Sequence, residues 1–227
     1  MSIRLNDVWV RLGDVDVLRE VSLDVDARTV AVVGENGSGK STFARLLGGL
    51  VGHTAGELSV LGLNPANRAG ELRRRVAVVF SNPDAQIVMP TVAEDVAFSL
   101  RADRLRSDEI RERVAVALER FGLTALADHP SHDLSGGQKQ LLALCGAFVR
   151  EPELVIADEP TAYLDARNAG RVADHLFKDT GHRLVLVSHD LALARRCDVA
   201  VLFAEGRLTA VGKPAAIIAE YEAKLRC

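Results

Sequence analysis

The sequence predicts an α/β domain: a mixed, mostly parallel sheet with antiparallel strands at its N-terminal end and a helical subdomain inserted into it. Three observations carry this reading. Short valine-rich apolar runs recur at 29–33 (TVAVV), 75–80 (RVAVVF), 154–157 (LVIA), 183–188 (RLVLVS) and 199–203 (VAVLF), the pattern of strands covered on both faces. Helical patterns separate these runs. Between about 82 and 149, by contrast, the chain carries helix signatures and no convincing buried strand. The expected organisation is one domain over 1–227, with 1–81 and 150–227 forming the core and 82–149 the helical subdomain.

The elements follow in order. IRLNDVWV (3–10) and EVSLDV (20–25) alternate apolar and polar residues, as antiparallel strands with one covered face do. GENGSGKST (34–42) lies between the buried run TVAVV and the apolar helix FARLLGGL. TVAEDVAFSL (91–100) opens on Thr91 as N-cap, with acidic residues in its first turns. SDEIRERVAVALERFGL (107–123) sets Ile110, Val114, Ala117, Leu118 and Phe121 on one stripe, and Gly122 suits a C-cap. LSGGQKQ (134–140) begins a further helix, because Ser135 and Gln138 have capping-box spacing. LVIADEP (154–160) ends a strand on two carboxylates, and RLVLV leads into Ser188-His189-Asp190. Glu205-Gly206 marks a turn into RLTAVG, a final hairpin.

Composition bounds the function. The chain has 227 residues, 48% hydrophobic and 26% charged, with a formal net charge of −3, the profile of a soluble globular protein. No basic stripe is present, so nucleic acid is not an expected partner, and Arg73–Arg75 reads as a solvated face. Cys145, Cys197 and Cys227 share no metal-type spacing and fit a reducing compartment. The opening MSIRLNDVWVRLGD lacks the apolar core of a secretion signal, and no run reaches about 18 consecutive apolar residues. A cytoplasmic location is expected.

GENGSGKST has the strand–loop–helix context of a phosphate-binding P-loop. Glycines let the backbone approach the phosphates, Lys40 adds a positive charge that reaches them, and the Ser41 hydroxyl is placed for Mg²⁺. At ordinary residue frequencies such a pattern arises by chance in roughly one chain of this size per hundred. Asp158 is a candidate magnesium ligand. Side chains alternate along a strand, so Asp158 and Glu159 face different ways, and Glu159 is the candidate general base. His189, at the strand end where ligands sit in open α/β sheets, is a candidate γ-phosphate contact. The two glycines of LSGGQ leave bare N–H groups at a helix start, a second surface suited to an anion.

GENGSGKST, LSGGQKQ, LVIADEP, AYLDA (162–166) and the SHD around His189 occur in the order and approximate spacing of ABC-transporter ATPase subunits, and the resemblance covers essentially the whole chain. It implies ATP as substrate, Mg²⁺ as cofactor, and two subunits opposed head to tail around shared nucleotides. Gly34, Glu35, Asn36, Gly37, Ser38, Gly39, Lys40, Ser41 and Thr42 would bind nucleotide in one copy. Ser135, Gly136, Gly137 and Gln138 of the other would complete the site, with Asp165 communicating between sites. The stretch SNPDAQIVMPTVAEDVAFSL (81–100) resembles the ATPases of energy-coupling factor (ECF) importers, which work with a membrane coupling (T) subunit and a substrate-binding (S) subunit. Within these, DAQIVMPTVAEDVAFSL and the Arg28-Thr29 pair before the P-loop strand most resemble the biotin importers. A peripheral position on the inner face of the cell membrane is implied. Cobalt or nickel importers, soluble ABC ATPases of repair or translation, and a nucleotide-binding regulator are the rival readings.

Two positions depart from the family pattern. Ser81 stands where a glutamine usually contacts Mg²⁺ and the attacking water; either its hydroxyl acts through a water, or Asn82 or Gln86 substitutes. Leu12 stands where an adenine-stacking aromatic residue is usual, so adenine is expected to rest on Leu12 and Val17, while Trp9 packs against the sheet. A docking surface for the membrane partner is expected at 81–98, with Ile87, Val88 and Met89 exposed and Phe98 in the subdomain core.

Overall fold

The structure, a computed structural model, describes residues 3–178 and 181–225, so Cys227 lies outside the described residues. In chain order the elements are β1 (Ile3–Leu12), β2 (Val15–Val25), β3 (Thr29–Gly34), α1 (Lys40–Leu47), β4 (Ala55–Val60), α2 (Pro65–Arg75), β5 (Val76–Val79), α3 (Val92–Ser99), α4 (Ser107–Phe121), α5 (Gly136–Phe148), β6 (Leu154–Asp158), α6 (Ala166–Lys178), β7 (Arg183–Val187), α7 (Leu191–Ala194), β8 (Val199–Ala204), β9 (Arg207–Gly212) and α8 (Pro214–Lys224). They fall into two compact units. The core unit takes residues 3–78, 154–159 and 182–225, and the helical unit takes 79–153, 160–178 and 181.

The core unit is built on a three-stranded antiparallel sheet, ordered β2-β1-β4, and a six-stranded sheet, ordered β5-β6-β7-β3-β8-β9. Strands β6, β7, β3 and β8 run parallel, and β9 returns antiparallel to β8. Each parallel strand is a continuous apolar run with almost every residue buried, as two covered faces require. Their register matters for the site: Asp158 pairs with Val187, and Val187 with Val32. The residues that follow β6 and β7 therefore leave from one row, and β3 ends two residues beyond it, at Gly34.

The N-terminal strands obey alternation only in part. Ile3, Leu5, Val8 and Val10 are buried along β1, but the pairing shifts between Leu5 and Val8. Asp7 sits there with φ of 48° and its N–H donates to Ser22 Oγ at 3.0 Å. This bulge resets which face is apolar. Strand β4, AGELSV, carries little strand propensity of its own and is held by pairing with β1; the sequence alone gave no sign of it. Helix α2 was equally hidden. Asn64 caps it and Pro65 starts it, yet only Pro65 and Leu72 are buried and Arg68 breaks the helical geometry, so it shows no apolar stripe. Arg73 and Arg74 are exposed as expected, and Arg75 is half-buried.

In the helical unit, Val114, Ala117, Leu118 and Phe121 are buried along α4, with Ile110 half-buried. Gly122 closes the helix at φ of 67°, a left-handed C-cap. Helix α6 belongs to this unit, a correction to the expectation that all of 150–227 lies in the core. The reason is side-chain packing: the Phe121 ring stacks on His175 at 4.2 Å between centroids, Arg171 donates to the Phe121 carbonyl at 3.3 Å, and Val172 and Leu176 are fully buried. Among the described residues no helix is long and apolar enough to cross a membrane.

Helix α1 is pinned by Phe43, 1% exposed, whose ring lies 4.9 Å from that of Phe203. Phe43→Ala is expected to cost about 3–5 kcal/mol through lost transfer energy and a cavity, read as a lower urea midpoint with an unchanged slope.

Candidate nucleotide-binding and catalytic site

Strand β3 ends at Gly34, and the loop from Glu35 to Gly39 turns the chain into α1. Gly39 takes the N-cap position with φ of 103°, which a side chain would resist. Lys40 is buried, and its Nζ donates to the carbonyls of Gly34 at 2.8 Å and Glu35 at 2.6 Å. Burial pushes the Lys40 ammonium down from its ordinary range, while Glu159, Asp158 and Glu35 pull it back up. Ser38 N–H donates to the Glu35 carbonyl at 3.2 Å, and the buried Ser38 hydroxyl makes no hydrogen bond.

Ser41 Oγ donates to Asp158 Oδ1 at 3.1 Å. A hydroxyl and a carboxylate 117 positions apart in sequence thus converge, giving the all-oxygen donor set that a hard divalent cation prefers. Burial raises the Asp158 carboxyl, with the Ser41 hydrogen bond, Arg45 and Lys40 opposing it. Glu159 leaves β6 with φ of 51°, a left-handed conformation unusual for a residue with a side chain. Its N–H donates to the Val187 carbonyl at 2.9 Å. Its Oε2 accepts the His189 N–H at 3.2 Å, and His189 Nε2 stands 3.5 Å from Oε1. Oε1 is buried and makes no hydrogen bond. Burial raises the Glu159 carboxyl as well, against the pull of the His189 N–H and of the His189 and Lys40 charges.

Val17, Gly37, Lys40, Thr42, Glu159 and His189 share one cavity of about 240 Å³, to which Asn36, Gly39 and Ser41 also contribute. Of the two residues expected at the base, only Val17 lines this cavity. Leu12 pairs with Val15 at the tip of the β1–β2 hairpin, 43% exposed. The bidentate bond of Arg11 to Asp16, 2.6 and 2.9 Å, braces that tip.

The helical unit presents the second set of residues. Ser135 and Gln138 form a reciprocal capping box: Ser135 N–H donates to Gln138 Oε1 at 2.8 Å, and Gln138 N–H to Ser135 Oγ at 3.4 Å. Gly136 has open space around its Cα, but a β-carbon on Gly137 would lie 2.5 Å from the Asn168 side chain. The second glycine is therefore needed for close packing. Asn168 in turn donates to both carboxylate oxygens of Asp165, at 2.9 Å from N–H and 2.7 Å from Nδ2, which holds that carboxyl below its ordinary range. Asn168 had no signal of its own in the sequence. Tyr163, within AYLDA (162–166), is 99% exposed with φ of 62°.

Around Ser81, the two candidate substitutes are already engaged. Asn82 Oδ1 accepts the Asp84 N–H at 3.0 Å, and Gln86 Oε1 accepts the Phe80 N–H at 2.8 Å. The acidic pair in TVAEDVAF has a separate local task for each residue. Glu94 completes the Thr91 capping box, and the buried Asp95 accepts the N–H groups of Val88 at 2.8 Å and Met89 at 3.0 Å. That turn leaves Val88 61% exposed. Phe98 corrects the expectation that it is core: it is 42% exposed, with the Arg101 guanidinium 5.7 Å above its ring.

A P-loop whose serine meets a strand-end aspartate, followed by a glutamate held by a histidine, defines a nucleoside triphosphatase. The glycine-opened helix in the other unit narrows the class, and similarity to known proteins agrees. The family profile for ABC transporters matches residues 18–162, and the chain belongs to the ATP-hydrolysing subunits of that family. Over 221 residues it is 37% identical to the biotin transport ATP-binding protein BioM of Rhizobium etli, covering 97% of this chain and 98% of that one. Over 206 residues it is 42% identical to the energy-coupling factor transporter ATP-binding protein EcfA1 of Symbiobacterium thermophilum, covering 87% and 72%. A dimeric structure of an ATP-binding cassette in a post-hydrolysis state, bound to ADP and Pi, superposes with a TM-score of 0.81 at 28% identity, covering 93% of this chain and 98% of that one.

The raised carboxyl of Glu159 carries a consequence for stability. A group whose pKa rises on folding favours the fold when protonated, and that benefit is lost as pH climbs through the folded value. Glu159→Gln is therefore expected to unfold at higher urea than the parent at pH 8, and the difference should vanish near pH 4, around the ordinary glutamate value.

Proposed function

We propose that this chain is the ATPase of an energy-coupling factor importer whose cargo is biotin, and that it works as a homodimer closed by ATP. The observation that carries the catalytic part is the convergence of Lys40, the Ser41–Asp158 contact and the Glu159–His189 pair on one cavity. The N–H groups of the Gly34–Thr42 loop and the Lys40 ammonium bind the phosphates. Ser41 and Asp158 would hold Mg²⁺, which supplies charge neutralisation on the phosphate oxygens when bound. Glu159, its carboxyl raised by burial and aimed by the His189 N–H, takes the proton of the attacking water. His189 would contact the γ-phosphate with its ring. Val17 supports the base.

The dimer reading rests on the helical unit. Ser135, Gly136, Gly137 and Gln138 open a helix whose N-terminus carries roughly half a positive charge, a surface that suits the triphosphate held by a second copy. Asp165, tied to Asn168 beside Gly137, would pass the state of one site to the other. The ECF reading rests on the 81–100 segment and on the similarity to EcfA1 and BioM. Val88 and Phe98, exposed apolar groups on that segment, are the proposed seat of the membrane coupling subunit, with a substrate-binding subunit beyond it. The protein would then lie on the inner face of the membrane.

Glu159→Gln saturated with Mg·ATP should sediment as a dimer and hydrolyse ATP at least about 100-fold more slowly than the parent. Protomers alone, with or without the membrane subunits, would remove the homodimer. Ser81→Gln tests the other departure. If the Ser81 position serves the attacking water, restoring the amide should raise basal turnover severalfold; an unchanged rate would show that this side chain plays no part.

A further inference from the structure

The turn between β8 and β9 touches none of the cavity, yet it joins the two walls that do. Glu205 and Gly206 have φ of 47° and 77°, the two positive values that a type I′ hairpin turn requires. From this turn hydrogen bonds run in opposite directions. Gly206 N–H donates to the carbonyl of Ser38 in the phosphate loop at 3.0 Å, and the Gly206 carbonyl accepts the Arg19 N–H on β2 at 2.8 Å. One peptide-sized residue thus bridges the P-loop to the strand that carries Val17.

Side chains reinforce the bridge. The Arg19 guanidinium donates to the Glu205 carbonyl, and Arg207, the first residue of β9, pairs with Glu20. Arg19 Nε is buried without a hydrogen bond, a cost that a surface arginine avoids, so this guanidinium is held where it is by the packing around it. Contact is close. A β-carbon at Gly206 would lie 2.5 Å from the Val17 carbonyl oxygen, and one at Gly39 would lie 2.7 Å from Leu18 Cδ2 and 3.5 Å from Gly206 Cα. Nothing larger than a Cα fits where turn, loop and strand meet.

We infer that the Glu205–Gly206 turn, through Arg19 and Gly206 as positioning residues, sets the distance between the base-supporting strand and the phosphate loop, and so decides how much the base adds to nucleotide affinity. This rests on the reading that the base lies against Val17. Loosening the turn leaves Lys40 and the loop N–H groups to hold phosphate, and withdraws Val17 from the base. The mark of the role is a selective loss. Binding of nucleotide weakens while binding of its phosphate portion does not.

Calorimetric titration of the full chain with Mg·ADP and with Mg·pyrophosphate measures this directly, since neither ligand is hydrolysed at this site. For Arg19→Met and for Gly206→Ala, the ratio of ADP affinity to pyrophosphate affinity should fall at least about fivefold. Arg19→Lys, which retains a donor for the Glu205 carbonyl, should keep the ratio within about twofold. In turnover assays, KM for ATP should rise by a similar factor with kcat within about twofold, because Glu159 and His189 are untouched. Should one variant fail to fold, the other carries the measurement. Equal losses for both ligands, or an unchanged ratio, would overturn the inference while leaving the base on Val17. A parent that binds ADP no better than pyrophosphate would overturn both.

Discussion

The register of three parallel strands is the constraint on which this molecule depends. Asp158, Val187 and Val32 stand side by side across β6, β7 and β3; β6 and β7 leave the sheet at that row, and β3 runs two residues further, to Gly34, against β8, at the same carboxyl edge. From that edge come the phosphate loop, Glu159 and the Ser188–Asp190 turn. A slip of one residue in any of the three strands would turn its side chains to the opposite face. The apolar runs prevent such a slip because both faces of the sheet are covered. Rigid burial below is what holds flexible polar groups in place above.

The charges at that edge are few and mutually dependent. Lys40, Asp158 and Glu159 are all drawn out of water, which lowers the ammonium and raises both carboxyls. Each charge also opposes the penalty on the other sign. Removing one member therefore does more than remove one contact, since it leaves the remaining groups buried with less compensation. The positive φ of Glu159 belongs to the same economy. A residue continuing the strand would point along the pleat; the left-handed step turns the carboxylate toward the His189 N–H instead.

In the helical unit the same logic is carried by caps. Thr91 with Glu94, and Ser135 with Gln138, close their helices reciprocally, leaving the glycines between Ser135 and Gln138 without side chains over their N–H groups. Asp95 and Asp165 use carboxylates to hold backbone turns, at Val88–Met89 and at Asn168. Local hydrogen bonds of this kind define the shape of surfaces offered to partners without requiring a large core behind them.

What the amino-acid sequence determined by itself is whatever local chemistry enforces. The buried strands, the P-loop, the α4 stripe with its Gly122 cap and the capping box at Ser135 were all legible, because burial on two faces, phosphate approach and helix capping each demand particular residues at short spacing. What only the tertiary structure decided lies where distant segments meet. Strand β4 exists through its pairing with β1, α6 joins the helical unit through Phe121 and His175, and Phe98 is left exposed. Leu12 sits at a hairpin tip and is not among the residues that line the cavity with Val17. The Gly206 bridge between Ser38 and Arg19 is the clearest case, for it joins backbone atoms 168 and 187 positions apart, and backbone atoms leave no trace in residue type.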